Sequence, residues 1–335
     1  MKRAGRIIEE ATSYEALRLA WTRTRRGKAC GAEALRFERE LDENLNEIGQ
    51  GLSSGTYRWN AFRTFKIFDP KERDIAAPSF RDRVAQHALF IPCEEVFNRR
   101  QIAQSCASRR GKGQSAALAY ARDYARCGGF FLKMDVHHYF ASIRRDLLKE
   151  SLARLIKDKY ALVAFYDLID AYQPGAERGI PLGALASQFF ANHYLAPLDN
   201  MIKREIRIAR YVRYMDDFLL WAQSKDELRD ARKRIEEFVG EKLDLELNPN
   251  ELRRVSSGLS FLGMRVFPNS LRLGARGRLR FRRKYLALVE SFARGELSER
   301  EYSSRALSLT SYAAQAETRA FRLRVIATGE GSRLQ

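Results

Sequence analysis

Two adjacent acidic residues near the middle of the chain, Asp216 and Asp217, constrain its fold most strongly. Mostly apolar and aromatic residues precede them at 211–214 and follow them at 218–221, a pattern that predicts a β-hairpin with both acids at its turn. An isolated Asp-Asp pair could also be a solvated turn. Here, however, apolar strands place the pair at the edge of a buried sheet, where two carboxylates are costly to desolvate without a cation. The pattern therefore predicts a metal site.

A third acid follows another apolar segment. Residues 130–134 read as a short buried strand, and Asp135 stands at its end. If this strand lies beside the hairpin, Asp135 adds a carboxylate to the turn, and the backbone carbonyl of Val136 can add another oxygen. Mg²⁺ prefers such hard oxygen ligands. Phosphoryl transfer needs two divalent cations and an in-line nucleophile more than covalent help from the protein.

The charge of the chain indicates the kind of partner. Its 335 residues include 60 Lys and Arg and 42 Asp and Glu, a formal net charge of +18. This excess favours an anionic partner, most commonly nucleic acid, although an ordinary basic surface is the alternative. The last 65 residues hold 14 Lys and Arg against 6 Asp and Glu. Apolar residues recur there at helical spacing, so we expect a folded helical element with a basic face.

Cellular location is indicated by what the sequence lacks. No apolar run approaches the roughly 20 residues that cross a bilayer, and the N-terminus has no apolar signal segment. The four cysteines, at 30, 93, 106 and 127, form no C-x-x-C pair, which favours reduced thiols over a zinc site or a disulfide scaffold. We expect a cytoplasmic protein with no membrane partner.

The motifs together resemble those of reverse transcriptases. Residues 214–217, Tyr-Met-Asp-Asp, look like the catalytic box of that family. The block at 133–140 before it and the block at 261–263 after it occur in the family's order and spacing. Residues 81–87 resemble the fingers block of group II intron and related bacterial enzymes. The resemblance extends over about residues 56–268.

This resemblance implies an α+β fold, a right-hand polymerase with fingers, a palm of antiparallel sheet packed on helices, and a helical thumb. The expected divisions are an N-terminal helical extension (1–55), fingers (56–128), a palm with interleaved fingers elements (129–268) and a thumb (269–335). It also implies an RNA-directed DNA polymerase in which Asp135, Asp216 and Asp217 are the catalytic metal ligands. Two Mg²⁺ ions, with Mn²⁺ as a substitute, template RNA, primer or cDNA, and dNTPs would be its cofactors and partners.

One block departs from the commoner family pattern. Many reverse transcriptases carry Gln-Gly and then Ser-Pro beneath the incoming nucleotide, whereas this chain has Leu182 in place of the glutamine and Gln188 in place of the proline. The variant resembles reverse transcriptases of diversity-generating retroelements, bacterial or phage-encoded, which copy a template-repeat RNA into mutagenised cDNA. Leucine lacks the hydrogen-bonding groups of glutamine, so we expect looser nucleotide selection. Simple packing of Leu182 is the alternative.

Other predicted contacts rest on single residues. Cations of the hairpin predicted at 62–77 are expected to meet a nucleotide triphosphate, although any one of them could instead be a solvated surface charge: Lys66, Lys71 and Arg73. The resemblance further implies that Gly183 completes the nucleotide loop and that an aromatic gate against ribonucleotides lies at Tyr139, with Phe140 as the alternative. Nucleic-acid contacts are predicted for five further basic residues: Arg81, Arg83, Arg109, Arg110 and Lys112.

The partners and the exact function leave alternatives open. By its family likeness the chain would work with a small, basic, helical-barrel accessory protein. A candidate surface for that protein is an acidic run, for which an ordinary solvated helix face is the alternative: Glu38, Glu40, Asp42, Glu43 and Glu47. Another bacterial reverse transcriptase, of retron, group II intron-like or phage-defence type, is the alternative function. A catalytically inactive RNA-binding scaffold is a further one, although it would not need all three acids.

Overall fold

The computed structural model describes residues 3–26, 31–68, 72–172 and 177–331. The N-terminal part consists of four helices: α1 (Ile7–Ala11), α2 (Tyr14–Arg25), α3 (Ala32–Arg39) and α4 (Leu41–Ser54). Helix α2 begins at Ser13, whose side chain accepts a hydrogen bond from the Ala16 N–H and so satisfies a free amide of the first turn. Apolar residues of α2 and α4, including Leu17 and Leu45, are buried in the main core.

A two-stranded hairpin follows, as the alternating sequence predicts. Strands β1 (Arg63–Phe68) and β2 (Glu72–Ala77) pair antiparallel, with Lys66 opposite Asp74 and Ile67 opposite Arg73. The long helix α5 (Phe80–Asn98) begins at Ser79, which accepts from the Asp82 N–H. The Asp82 carboxylate is itself buried and accepts from the Tyr57 hydroxyl at 2.9 Å and from the Asn60 side chain, which ties the entry of α5 to the preceding loop.

The central sheet is the part of the fold that positions the predicted acids. It contains β3 (Phe130–Asp135), β4 (Arg210–Tyr214), β5 (Asp217–Ala222) and β6 (Glu251–Arg254) in the order β4-β5-β3-β6, all antiparallel. Alternate residues of a strand face opposite sides. Leu132 and Leu220 therefore pack into the main core on one face, whereas Phe131 and Trp221 join a second core on the other.

Helices cover both faces of this sheet. The helices of this part are α6 (Gln114–Ala125), α7 (Tyr139–Ser142), α8 (Arg145–Leu155), α9 (Lys159–Asp170), α10 (Leu185–Tyr194), α11 (Ala196–Asn200) and α12 (Lys225–Leu243). Of these, α6 packs against β4 and β5, and α12 packs against β3 and β5. Helix α11 continues as a π-helical segment over Met201–Ile206. Strands that are antiparallel and flanked by helices confirm the predicted α+β class.

The C-terminal part combines a small sheet with three helices. Strands β7 (Leu259–Phe261), β8 (Met264–Val266) and β9 (Leu271–Leu273) precede α13 (Ala275–Ala293), α14 (Glu299–Ala314) and α15 (Arg319–Gly331). Phe281, Tyr285 and Val289 of α13 are buried in the second core. The basic C-terminal sequence therefore forms the folded helices that its apolar spacing predicts.

The cysteines and the lengths of the apolar helices also bear on the sequence-based expectations. Cys93, Cys106 and Cys127 carry free thiols, and Cys30 lies outside the described residues. Within the described part of the chain, no helix is both long and apolar enough to cross a membrane.

Candidate active site

The turn between β4 and β5 is short and conformationally demanding. Tyr214 pairs with Asp217, so only Met215 and Asp216 form the loop of the hairpin. Met215 has φ 60°, in the left-handed region that glycine adopts most easily. A non-glycine residue in such a conformation costs on the order of 1–3 kcal/mol and persists only where neighbouring contacts hold it. The turn that carries Asp216 is thus strained and needs external support.

The structure brings the three predicted carboxylates to one end of the central sheet. Asp135 at the end of β3 lies directly opposite Asp217 at the start of β5. Directly opposed residues have Cβ atoms about 4.5–5.5 Å apart. Burial, followed by the charge of nearby Asp135, raises the pKa of Asp216 to about 6. Burial also raises the pKa of Asp217 to about 7, although the Lys133 ammonium lowers it.

Two residues that the sequence analysis did not single out hold these acids. Lys133 Nζ lies 3.0 Å from Asp217 Oδ2 and donates to the Ser260 carbonyl at 3.0 Å, linking the acid to β7. The Asn248 side chain donates to Asp135 Oδ2 at 2.8 Å, and its backbone N–H donates to the Asp135 carbonyl. Period-two alternation could have placed Lys133 on the face of Asp135. No local signal points to Asn248, which is distant in sequence.

The residue types at this end of the sheet fit a divalent cation. Asp217 Oδ1 is buried and has no hydrogen-bond partner among the protein groups. Together with the raised pKa values, this unpaired oxygen marks negative charge that the protein does not fully match. The two ladder bonds beside Val136 are made by Asp135 and His137, so they do not use the Val136 carbonyl. In the described ranges, no three His, Cys, Asp or Glu side chains converge closely enough to hold a metal as they stand.

Two of the basic residues predicted to bind the triphosphate, Lys66 and Arg73, lie on opposite faces of the hairpin formed by β1 and β2. Arg73 is exposed, and its charge acts on Asp216 to lower the pKa of that carboxyl. Lys66 lies opposite Asp74, and side chains alternate between faces, so Lys66 points to the other face of the hairpin from Arg73. Lys66 forms an ion pair with Glu72. Lys71 lies outside the described residues. Only Arg73 of the three is thus shown on the side of the acids.

The predicted nucleotide loop is tied to the same hairpin. The Leu182 carbonyl accepts from the Ala76 N–H at 2.8 Å, and Leu182 is half-buried. Gly183 has φ 118°, and a Cβ there would lie 2.8 Å from the Ile75 side chain. A side chain at position 183 would therefore clash with β2, which explains the glycine. Contact of Leu182 with a nucleotide stays a prediction.

The structure distinguishes the two aromatic gate candidates. Tyr139 is 2% exposed and its hydroxyl donates to the Ala191 carbonyl, so it is a core residue. Phe140 is half-buried and packs only partly against that core. The preference for Tyr139 conflicts with this burial, because a gate must reach the nucleotide. Phe140 is the candidate that remains.

The basic residues predicted to contact nucleic acid differ in whether they already have partners within the protein. Arg81 pairs with Glu47 at 2.7 Å, and Arg83 lies 3.7 Å from Glu33. Arg109 donates to Asn98 and to the carbonyls of residues 102 and 105, so it braces its own loop rather than facing a phosphate. The other two are Arg110, which is exposed, and Lys112, whose ammonium lies 5.8 Å from the Tyr120 ring centroid.

Gln188, the second residue of the unusual block, lines a cavity. Its side-chain oxygen accepts from the Ser108 hydroxyl at 2.9 Å. The cavity, of about 660 Å³, lies among α2, α5 and α10, and Arg23, Arg110 and Gln101 also line it. Gln188 is therefore held by the loop at 108–110, and its predicted effect on fidelity is untested.

The family of the chain follows from its sequence and agrees with this geometry. Residues 69–266 match the family described as reverse transcriptase (RNA-dependent DNA polymerase), and this match covers more than half of the 335 residues. The chain belongs to the reverse transcriptase family. Its antiparallel central sheet with flanking helices is of the α+β class that the motifs predict. The boundaries expected between N-terminal extension, fingers, palm and thumb stay predictions.

Relatives of this reverse transcriptase are distant. The COX1/OXI3 intron 2 protein of Saccharomyces cerevisiae is 22% identical over 172 residues, 48% of this chain and 20% of the yeast protein. Protein YkfC of Escherichia coli is 22% identical over 293 residues, 73% of this chain and 76% of YkfC. The chain thus spans only a fifth of the yeast protein.

Solved structures with similar architecture include fungal telomerases. Apo telomerase of Candida tropicalis, truncated from its C-terminal domain, has a TM-score of 0.48 and 14% identity, covering 64% of this chain and 55% of that one. Telomerase of Candida albicans, solved with a fragment of telomeric RNA, has a TM-score of 0.49 and 10% identity, covering 70% and 52%. The chain spans about half of each telomerase.

Proposed function

We propose that this chain is an RNA-directed DNA polymerase that extends a primer on an RNA template by two-metal nucleotidyl transfer. The observation that carries the proposal is the meeting of Asp135, Asp216 and Asp217 at one end of the central sheet. With Mg²⁺ or Mn²⁺ bound, the cations would supply an activated primer hydroxyl and neutralise charge on the triphosphate. Asp135 and Asp216 would be the main ligands, with Asp217 and the Val136 carbonyl completing the oxygen set.

The protein's own residues would orient the incoming dNTP. Arg73, exposed on the hairpin and electrostatically coupled to Asp216, would bind the triphosphate. The backbone at 182–183, tied to β2, would form the floor beneath the nucleotide. Phe140 would lie against the sugar and exclude a 2′-hydroxyl, since Tyr139 is held in the core.

The substitution Asp216→Asn tests the catalytic assignment. We expect primer extension on an RNA template to fall by roughly a thousandfold, since several kcal/mol of charge stabilisation would be lost. Template binding should be unchanged, because phosphates would be bound by many exposed cations away from the acids, such as Arg276, Arg278, Arg282 and Arg283 of α13. Extension by Asp216→Asn near the wild-type rate in Mg²⁺ would overturn the two-metal assignment.

We further propose that the enzyme makes error-prone cDNA from a template-repeat RNA, as in a diversity-generating retroelement. Support comes from Leu182, which has no group to hydrogen-bond a base or sugar, at the position where many relatives have glutamine. Leu182→Gln should lower misincorporation, most clearly opposite template adenine, as read by sequencing the cDNA. Leu182→Met, which keeps an apolar side chain of similar volume, is the matched control and should leave the error spectrum unchanged. An equal error rate in all three proteins would assign Leu182 to packing.

The partners of such an enzyme would be template RNA, primer and the basic accessory protein. Binding of an RNA–DNA duplex through phosphates should weaken steeply with salt. The acidic run predicted for the accessory protein is partly used inside the chain: Glu38 pairs with Arg25, Glu47 with Arg81, and Asp42 accepts from Tyr14. Glu40 and Glu43 are the better candidates for charge reversal, with co-purification after nuclease treatment as the measurement.

A group II intron-like role is the second candidate. It is favoured by the similarity to the yeast intron 2 protein. The two candidates differ in fidelity, since an intron-type enzyme needs an accurate copy. An error rate at template adenine equal to that at the other bases would favour the intron-like role.

A further inference from the structure

A fully buried ion pair lies directly behind the strained turn. The side chains of Arg213 and Asp199 are both 0% exposed. Arg213 Nε and Nη2 donate to the two Asp199 carboxylate oxygens at 2.7 and 2.6 Å. The Tyr211 hydroxyl donates to the same carboxylate at 2.7 Å. The acid is thus matched by a guanidinium fork and a phenol, with no water needed.

The remaining donors of Arg213 reach outwards from this pair. A guanidinium has five N–H groups. Beyond Asp199, Arg213 donates to the side-chain oxygens of Asn192 and Gln101, each at 3.1 Å, and to the Met215 carbonyl at 3.0 Å. The bonds to Asp199, Asn192 and Gln101 hold Arg213 in place. The bond to the Met215 carbonyl is the one that touches the turn.

The Met215 carbonyl is the group through which Arg213 can orient Asp216. That carbonyl belongs to the peptide unit whose nitrogen is that of Asp216, and a peptide unit is planar. Fixing the oxygen therefore fixes the plane from which the Asp216 Cα and side chain project. Because Met215 is in the left-handed region, the turn would relax to other conformations if this bond were absent.

Stability alone does not explain why the pair is ionic. A buried ion pair pays a large desolvation penalty, and replacing both partners by apolar residues is often neutral or stabilising. An apolar pair at 199 and 213 would fill the same space but could not donate to the Met215 carbonyl. The unique contribution of the ionic pair is therefore to the turn.

We propose that Arg213 is a positioning residue that holds Asp216 in its metal-binding orientation through the Met215 carbonyl, and that Asp199 serves to hold Arg213. The inference rests on the proposed role of Asp216 as a metal ligand. It predicts that loss of Arg213 weakens the metal site and the chemical step without weakening the fold or template binding.

The test uses the full chain and a charge-matched double variant, Arg213→Met with Asp199→Asn. Both charges disappear together, and the asparagine keeps an acceptor for Tyr211. We expect a thermal midpoint within a few degrees of wild type and an unchanged affinity for primer–template. We expect kcat for extension and the affinity for Mn²⁺, measured by electron paramagnetic resonance, each to fall roughly tenfold to hundredfold, as for other residues that orient metal ligands. Mn²⁺ bound by wild type but lost in Asp216→Asn defines the site.

Two further variants make each outcome decisive. Arg213→Lys keeps the charge but replaces the three nitrogens that bond Asp199 and the Met215 carbonyl by a single one on a shorter donor group, so it should fold and still lose kcat and Mn²⁺ affinity. Tyr57→Phe removes a buried hydrogen bond to Asp82 and lies far in sequence from the turn, so it controls for mild destabilisation. This variant should retain both the kcat and the Mn²⁺ affinity of wild type.

Three results would overturn the proposal. These are a folded double variant with wild-type kcat and Mn²⁺ affinity, a normal Arg213→Lys protein, or failure of both Arg213 variants to fold. If the wild-type protein binds Mn²⁺ at the Asp216-dependent site but does not extend a primer, the polymerase function fails. The Mn²⁺ affinities of the variants still decide the role of Arg213 in that case.

Discussion

The buried acid Asp199 and the half-buried acids Asp216 and Asp217 lie in the same part of the chain, and the protein matches their charges to different degrees. Asp199 accepts hydrogen bonds from Arg213 at both oxygens and from Tyr211. Asp217, four residues after Arg213, has one oxygen paired with Lys133 and the other buried without a partner. Burial raises the pKa of Asp216 and of Asp217 well above the ordinary range. The first acid is matched by the protein, whereas the second group is left with charge that a cation can match.

This difference separates a structural acid from candidate catalytic ones. An acid that holds the fold needs its partner in every state of the molecule, so the partner is a side chain. An acid that binds exchangeable cations must keep some charge unmatched. The free-energy cost of desolvating that charge lowers the stability of the fold when no cation is bound. Removing the acid should therefore have opposite consequences for stability in the two places.

The largest effect on stability is expected from Asp199→Ala alone. Arg213 would keep its charge in a site with no exposure to water, and breaking a buried pair on one side costs about 3–5 kcal/mol. The free energy of unfolding from urea titration measures this. Glu290→Ala, which removes an exposed ion pair with Arg294, is the control and should change stability by less than about 1 kcal/mol. A loss below about 1 kcal/mol for Asp199→Ala would remove the contrast between the two groups.

An intermediate effect is expected from pH at His193, a buried group that belongs to neither acid cluster. Burial lowers the pKa of His193 to about 4, below the ordinary value of about 6.5. The unfolded chain therefore binds a proton at His193 more readily than the folded chain does. Above about pH 6.5 neither state is protonated there and stability is unaffected, whereas the free energy of unfolding decreases as pH falls from about 6.5 towards 4. Between pH 7 and pH 5 the free energy of unfolding should fall by about 2 kcal/mol from this residue.

The variant His193→Gln isolates that contribution. It removes the titrating ring but keeps a polar side chain near the Ser151 hydroxyl, which lies 2.7 Å from His193 Nε2. Its stability should depend on pH less steeply than that of wild type between pH 7 and pH 5. Parallel curves for the two proteins would show that His193 is not the group responsible.

The smallest effect on stability is expected from Asp217→Asn. The amide removes a poorly matched buried charge, and Lys133 keeps its bond to the Ser260 carbonyl. Stability at neutral pH should stay the same or rise by about 1 kcal/mol. Thermal unfolding without divalent cations is the measurement, and primer extension should fall in the same protein. A loss of 2 kcal/mol or more would mean that Asp217 is a structural acid like Asp199.

Much of the site was predictable because its signals are local. An apolar strand that ends in Asp135, and two apolar strands around Asp216 and Asp217, follow from short-range periodicity, and the structure pairs them as expected. The hairpin at 63–77 and the helical C-terminal part are confirmed for the same reason. The family follows from the order of these blocks and is shown by the match over residues 69–266.

The sequence by itself determined the strands, the helices and the three acids, since alternation and spacing act between neighbours in the chain. Only the tertiary structure decided which side chains surround those acids. Asn248 reaches Asp135 across 113 residues, and Tyr139 rather than Phe140 is buried because of helix α10. Arg213 and Asp199 form a buried ion pair that no sequence pattern around either residue predicts. The physical reason is that burial and charge pairing depend on how distant elements pack, and this packing is not encoded in any short stretch of the chain.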